Sequence, residues 1–157
     1  MKLFYGLTTL KADQYFEYYK AIHSFLISEG HTLTRDWFPN LERKIIGKEN
    51  VKDSSYRYEK TIKAIYEAKA LIIEDTVSNF STGHMITLGI QRNIPILVLH
   101  IKNKKDGIFK KGMLHGIKSD YLQISEYTLK NYKDIIKAFI KKYEEHYKRT
   151  FSGTVIL

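Results

Sequence analysis

The residues of this sequence best suited to hold an anion stand together at Ser81-Thr82-Gly83-His84. They follow a continuous apolar run at 70–73 and precede a short segment with helical spacing. A strand, a small-residue loop and a helix in succession present free backbone N–H groups and the positive end of the helix dipole to the loop. The pattern predicts a phosphate site at these four residues, with plain helix capping as the alternative.

Two carboxylates, Glu74 and Asp75, follow the same apolar run and are the acids best placed for chemistry beside that loop. One of them could donate or accept a proton or bind a ribose hydroxyl, and a solvated or capping role is the alternative. Asp36 is a weaker candidate of the same kind. We expect Tyr5, Gly6, Leu7 and Thr8, at the end of the first predicted strand, to lie near the sugar or base of a ligand. Trp37 and Phe80 could stack on a base or simply pack in the core or a lid.

Thiol and metal chemistry are not indicated by the composition. The chain has no cysteine, which excludes disulfides and thiolate ligands, and its six histidines show no ligand-like spacing. We therefore expect neither a metal site nor a cofactor. No stretch approaches a membrane span and the apolar start is too short for a signal peptide, so a cytoplasmic protein is expected.

The positive charge is concentrated toward the end of the chain. The net charge is +9, and residues 102–157 carry 13 Lys/Arg against 6 Asp/Glu, which gives +7 for that part. A basic face attracts nucleic acid or phosphorylated ligands, although lysine-rich helices often serve only solubility. A nucleic-acid or protein-interaction module therefore stays an alternative, without a recognised motif to support it.

Strand-like and helix-like segments alternate along the 157 residues. The strands are predicted at 2–8, 31–36, 70–73, 94–99 and 121–124, the helices at 13–29, 54–68, 83–92 and 128–149, and long loops at 37–53 and 102–120. This order predicts one domain at 1–150, a Rossmann/flavodoxin-like three-layer α/β sandwich with about five parallel strands, and an apolar tail at 151–157. Ligands bind such sheets at the carboxyl ends of the strands.

Four stretches carry a family resemblance: K-A-L-I-I-E-D at 69–75, S-N-F-S-T-G-H at 78–84, I-T-L-G-I at 86–90 and N-I-P-I-L-V-L at 93–99. With the order of elements, they resemble the nucleoside 2-deoxyribosyltransferase superfamily, in particular its small deoxynucleoside 5′-monophosphate N-glycosidases. The resemblance covers almost the whole chain. It implies cleavage of an N-glycosidic bond by a carboxylate, with a second acid assisting departure of the base.

The acids that this resemblance implies are replaced. The family glutamate before Leu-Gly falls on Thr87, and the aspartate of the preceding helix falls on Thr61. The family's first-strand tyrosine falls at or near Leu3, with Tyr5 close by. A threonine hydroxyl cannot act as a carboxylate, so the catalytic residues are unknown, and Glu74 and Asp75 are the candidate substitutes.

The phosphate contacts of the family are retained. Ser81 and Gly83 match its phosphate-contacting serine and glycine, and Ser119 matches a serine supplied by a partner subunit, which implies a homodimer or higher oligomer. We therefore predict a nucleotide-binding protein for a (deoxy)nucleoside monophosphate or related phosphorylated ligand, a candidate pseudoenzyme. An active N-glycosidase or 2-deoxyribosyltransferase with a relocated carboxylate is the alternative.

Overall fold

The structure, a computed structural model, describes residues 1–45, 53–103 and 112–152. Five strands form one sheet in the order β2-β1-β3-β4-β5, and every neighbouring pair is parallel. The strands are β1 (Lys2–Leu7), β2 (Thr32–Leu33), β3 (Ala70–Glu74), β4 (Ile96–Ile101) and β5 (Leu122–Tyr127). The helices are α1 (Ala12–Ser28), α2 (Phe38–Ile45), α3 (Ser54–Glu67), α4 (Phe80–Gln91) and α5 (Tyr132–Ser152), with a 3₁₀ turn at Met113–Gly116. The predicted α/β three-layer sandwich is confirmed.

Helices cover both faces of the sheet, which explains the continuous apolar runs of its central strands. β3 and β4 are buried along their whole length. Residues of α1, α2 and α5 form the core on one face, and residues of α3 and α4 form the core on the other. A parallel sheet buried on both faces needs apolar side chains pointing both ways.

The segment 37–53, predicted as a loop, contains helix α2, and the prediction was wrong there. The Asp36 carboxylate accepts a hydrogen bond from the backbone N–H of Phe38 at 3.2 Å, while Phe38 and Leu41 are buried against α1. Pro39 lies in the first turn, where an N–H is not needed. The remainder of that predicted loop, 46–52, lies outside the described residues.

Other helix boundaries also differ from the predicted ones. Asp53, and not a serine, caps α3 by accepting a hydrogen bond from the Ser55 N–H at 2.8 Å. α1 begins at Ala12, so Asp13 lies inside the first turn. α5 begins at Tyr132 instead of near Thr128. Of the predicted apolar tail, only 151 and 152 fall within the described backbone, as the end of α5, and 153–157 lie outside it.

Candidate functional site

A cleft of about 410 Å³ opens at the carboxyl ends of β1 and β3, between the loop after β1 and helices α3 and α4. Its volume lies within the range of about 300–1,000 Å³ that is usual for small-molecule sites. The polar side chains most relevant to binding are Arg35, Arg57, Tyr58, Thr61, Ser81 and His84. None of the described residues that line the cleft is an aspartate or a glutamate. The cleft is therefore positively charged.

One wall of the cleft is the first turn of α4. Asn79 caps this helix, because its side chain accepts from the Thr82 N–H at 3.0 Å and the Thr82 hydroxyl accepts from the Asn79 N–H at 3.2 Å. The Asn79 amide also donates to the Thr8 hydroxyl, which ties the helix to the loop after β1. The residues predicted as a loop ending at 83 are thus the opening turn of a helix that begins at Phe80, and that boundary was wrong.

The four residues predicted to bind phosphate divide into two groups. Ser81 and His84 line the cleft. Thr82 is fully buried, and its hydroxyl donates to the Asp75 carboxylate at 2.5 Å. Gly83 is exposed, with open space where a Cβ would lie. Only Ser81 and His84 thus have side chains in position to contact a ligand in the cleft, and Thr82 holds the helix in place.

Three rings stack at the edge of the cleft. The His84 ring lies 5.7 Å from that of Phe80 and 5.9 Å from that of Tyr58, centroid to centroid. Phe80 is 85% exposed, which is unusual for so large an apolar side chain. The Nε2 atom of His84 is buried and has no hydrogen-bond partner among the described residues. The rings offer a flat apolar surface beside an unused polar atom.

An arginine contacts Thr61, the residue at which the family resemblance implies an acid. The Arg35 guanidinium donates to the Thr61 hydroxyl and, at 3.1 Å, to the backbone carbonyl of Arg57. The Thr61 hydroxyl in turn donates to the same carbonyl at 2.8 Å. Burial lowers the pKa of Arg35, but a guanidinium stays charged at any physiological pH. The surroundings of Thr61 are therefore cationic.

Thr87, the other position of a family acid, does not line the cleft. It is exposed on α4, and its hydroxyl donates to the Gly83 carbonyl one turn earlier at 3.0 Å. The leucine and glycine that follow it have a packing role instead. A Cβ on Gly89 would lie 2.6 Å from Leu71 Cδ1 and 2.7 Å from Ile96 Cδ1. This part of the family pattern keeps α4 close to the sheet.

The carboxylate of Glu74 is enclosed on the face of the sheet opposite the cleft. It accepts from the Tyr127 hydroxyl at 3.2 Å and from the Thr76 hydroxyl. Tyr127 belongs to the core formed by α1, α2 and α5. Burial raises the pKa of Glu74 to about 8, so this carboxyl is mostly neutral at pH 7. Its described contacts are those of a buried structural acid.

Asp75, the second candidate acid, accepts hydrogen bonds from the loop and first turn that lead into α4. Its carboxylate accepts from the Thr82 hydroxyl and, at 2.9 Å, from the Ser78 hydroxyl. Burial raises the pKa of Asp75 too, and these two bonds oppose that rise. Neither Asp75 nor Glu74 is among the residues that line the cleft.

The residues predicted near a sugar or base lie in different places. Leu7 and Thr8 line the cleft. Tyr5 is buried, and its hydroxyl donates to the Tyr19 carbonyl at 3.2 Å. Gly6 is needed for packing, because a Cβ there would lie 2.9 Å from the sulfur of Met85.

Neither Asp36 nor Ser119 lines the cleft of its own chain, although Asp36 stands between the cleft residues Arg35 and Trp37. Asp36 caps α2 and contacts the His23 ring nitrogen at 3.0 Å. Ser119 precedes β5 at the amino edge of the sheet, where its hydroxyl accepts from the Tyr121 N–H at 3.2 Å. The cleft opens at the opposite, carboxyl edge. Ser119 could reach a cleft only in another copy of the chain.

Sequence reasoning missed Arg35, Arg57 and Tyr58 as cleft residues. Arg35 was part of a predicted strand, whereas β2 ends at Leu33. An arginine just beyond the carboxyl end of a strand is a usable signal, because that edge holds the ligands of parallel sheets. Arg57 and Tyr58 line the cleft from α3, and the Tyr58 ring stacks beside His84 of α4. The sequence does not show which side of α3 faces α4, because that depends on how the two helices pack.

Within 1–45, 53–103 and 112–152, no three histidine, aspartate or glutamate residues lie close enough together to hold a metal ion. Over the same ranges, no helix combines the length and the hydropathy needed to cross a membrane.

In comparisons with known proteins, the chain matches solved structures. No family model matches the sequence, and no curated protein matches it significantly. Among solved structures, the chain is similar to the CMP N-glycosidase BcmB of Clostridium botulinum, with a TM-score of 0.59 and 15% identity over 88% of this chain and 99% of that one. At this identity the likeness shows the fold alone: the two chains share the three-layer α/β architecture that the sequence predicts.

Proposed function

We propose that this protein binds a nucleoside monophosphate, or a related phosphorylated nucleoside, in the cleft between α3 and α4 without cleaving its N-glycosidic bond. The observation that carries the proposal is the make-up of this cleft. It combines a helix N-terminus and two arginines with no carboxylate among its described lining residues. Such a site is suited to holding an anionic nucleotide and lacks the acids that cleavage requires.

Several features of the cleft support nucleotide binding. The first turn of α4 offers backbone N–H groups and the Ser81 hydroxyl to a phosphate. His84 Nε2 is buried without a partner among the described residues, so a ligand oxygen there would satisfy it. The rings of Trp37 and Phe80 line the same cleft and provide surfaces on which a base can stack.

The charge around the cleft disfavours cleavage of the N-glycosidic bond. The transition state of N-glycosidic cleavage is like an oxocarbenium ion, which a nearby carboxylate stabilises and a nearby cation destabilises. The cation Arg35 contacts Thr61, where the resemblance implies the acid. Glu74 lies across the sheet, and the Asp75 carboxylate already accepts two hydroxyl hydrogen bonds. Neither supplies a free carboxylate to the cleft.

The proposal includes a homodimer in which each copy completes the other's cleft. The resemblance implies that Ser119 contacts phosphate across an interface. Its position at the amino edge of the sheet keeps it away from the cleft of its own chain, which supports an intersubunit role.

Binding and turnover can be tested together. Calorimetry with the ribo- and deoxyribonucleoside 5′-monophosphates should detect binding, and chromatography of the same mixtures should detect no free base. Ser81→Ala should weaken binding about tenfold through loss of a hydrogen bond to a charged phosphate. Ser24→Ala, on the exposed side of α1, is the matched control and should leave binding unchanged.

Two other results would overturn the proposal. Release of free base would favour the alternative of an active N-glycosidase, which the CMP N-glycosidase activity named for the solved neighbour makes worth testing. Loss of that release in Glu74→Ala or Asp75→Ala would identify the relocated acid. Failure of every mononucleotide to bind, with oligonucleotide binding that weakens steeply with salt, would instead favour a nucleic-acid module.

A further inference from the structure

The positive charge of the cleft has no acidic partner among the residues that the structure describes. Arg35 and Arg57 both line the cleft, and within the described parts of the chain the Arg35 guanidinium donates to uncharged oxygens, those of Thr61 and the Arg57 carbonyl. No described carboxylate forms an ion pair with either arginine. Lys44 adds a third cation at the edge, where its ammonium donates to the cleft residue Thr9 at 3.1 Å. Arg35 is half-buried, whereas Arg57 and Lys44 are exposed. A half-buried cation that lacks a counter-charge costs free energy, which an anion bound beside Arg35 would offset.

This cationic group belongs to a different element from the predicted phosphate site. The Arg35 guanidinium donates hydrogen bonds to one turn of α3, at the Arg57 carbonyl and the Thr61 hydroxyl. Ser81 and His84 belong to the first turn of α4. A single phosphate bound at the α4 turn therefore leaves Arg35, which follows β2, and Arg57 of α3 as a second place for an anion within the same cleft.

We infer that the natural ligand is a nucleotide with two separated anionic groups, and that Arg35 and Arg57 bind the group remote from the 5′-phosphate. The inference rests on the proposed function and specifies its ligand class. A guanidinium fork matches the oxygens of a phosphate or a carboxylate in a bidentate arrangement, so the second group is either a phosphate on the sugar or a carboxylate on the base. The same cations that disfavour cleavage thereby acquire a binding role.

The experiment compares affinities by calorimetry. Its probes are a nucleoside 5′-monophosphate, the 3′,5′-bisphosphate and the 5′-diphosphate of the same nucleoside, and uridine and orotidine 5′-monophosphates as a pair that differs in a base carboxylate. The probe with the remote second anion should bind about tenfold or more tightly than its monophosphate. The diphosphate, whose extra charge adjoins the first phosphate, should gain less. Whether the gain occurs with the bisphosphate or with orotidine monophosphate identifies the source of the second anion.

Variants assign that gain to the arginines. The measured quantity is the dissociation constant of the monophosphate divided by that of the two-anion probe. This ratio should fall close to one in Arg35→Gln and should decrease in Arg57→Gln. Arg35→Lys should keep part of the gain in affinity. Using the ratio removes any general loss of binding caused by a folding defect. Arg92→Gln is the control, because Arg92 stacks on Tyr66 at 4.1 Å outside the cleft and should leave the ratio as in the wild type.

The outcomes separate this inference from the proposed function. Monophosphate binding without any gain from a second anion would overturn the inference and leave the proposed function standing. An equal gain with the 5′-diphosphate, or a gain that survives in Arg35→Gln and Arg57→Gln, would also overturn it. Binding of a two-anion probe alone, dependent on Arg35, would support the inference and restrict the proposed function to that ligand class.

Discussion

Gly89 shows how one missing side chain sets the distance between a helix and a sheet. A Cβ there would lie 2.6 and 2.7 Å from the side-chain ends of Leu71 and Ile96, both completely buried. Completely buried side chains have little room to move, since protein cores are close-packed. Gly83, six residues earlier on the same helix, has open space at that position.

We expect Gly89→Ala to destabilise the protein by about 1–3 kcal/mol, the usual cost of overpacking a core. Gly83→Ala is the matched control and should be neutral or stabilising by up to about 1 kcal/mol, because alanine is the better helix former. Urea unfolding of both variants without ligand measures the two effects. Equal stabilities would show that α4 can move away from the sheet at little cost.

The raised pKa of Glu74 predicts that the stability of the folded protein depends on pH. Burial raises its pKa from 4.5 to about 8, so in the folded protein it holds a proton that the unfolded chain has released at pH 7. The free energy of unfolding should therefore fall as pH rises through this range. Burial lowers the pKa of His100 from 6.5 to about 4, which produces the opposite trend at lower pH. The fall due to Glu74 is thus clearest between pH 6.5 and 8.

The corresponding experiment is thermal unfolding of the wild type and Glu74→Gln between pH 6.5 and 8. The wild-type melting temperature should decrease across this range, and that of the variant should change much less because an amide does not ionise. Parallel curves for the two proteins would mean that Glu74 is not the group responsible.

The positions of single residues could be predicted only in part. Leu7, Thr8 and Ser81 line the cleft, because the carboxyl ends of neighbouring parallel strands must meet at one edge, and their contacts with a ligand stay a prediction. The face on which Glu74 lies could not be predicted. Strand alternation places it opposite Ile73, but which helices cover which face depends on the winding of the whole chain.

At the scale of elements, the N-terminus of α4 is held by a small polar network. The Thr82 hydroxyl bonds to the Asp75 carboxylate and to the Asn79 backbone, so it links the end of β3 to the helix. This link fixes the turn from which Ser81 and His84 reach the cleft.

We expect Thr82→Val to destabilise the protein by about 1–3 kcal/mol, because it leaves a buried carboxylate without one of its donors. Nucleotide affinity should fall as well, since the first turn of α4 loses its fixed position. Thr87→Val, which removes an exposed hydroxyl from the same helix, should change both quantities little. Comparable losses in the two variants would rule out a special role for Thr82.

The strands and the long helices were easier to predict than the short elements. β3 and β4 are long apolar runs, and α5 buries Tyr132, Ile136, Phe139 and Tyr143, which recur at helical spacing. Leu129, which has the same spacing in the sequence, precedes α5 and is exposed. Helix α2 has only two buried residues and includes Pro39, so its pattern was too short to recognise. Its stability depends on packing against α1, a contact that the local sequence does not specify.

At the scale of the whole molecule, the sheet separates the cleft from Glu74. The α3/α4 face carries the cationic cleft, while Glu74 lies in the core of the α1/α5 face. Ser119, at the far edge, has a role at a cleft only if two copies associate.

We therefore expect sedimentation to show a homodimer and Ser119→Ala to weaken mononucleotide binding about tenfold while leaving the dimer intact. Ser24→Ala, at an exposed serine of α1, serves again as the control. A monomer that binds nucleotides normally would remove the intersubunit role of Ser119.

Trp37 lines the cleft, and its indole N–H donates to the Tyr5 carbonyl at 3.4 Å. It is the single tryptophan among the 157 residues. Light absorbed selectively by indole therefore excites one site in each chain, and that site borders the proposed ligand. The emission of the unlabelled protein reports on occupancy of the cleft, so nucleotide titrations can be followed optically without attaching a dye.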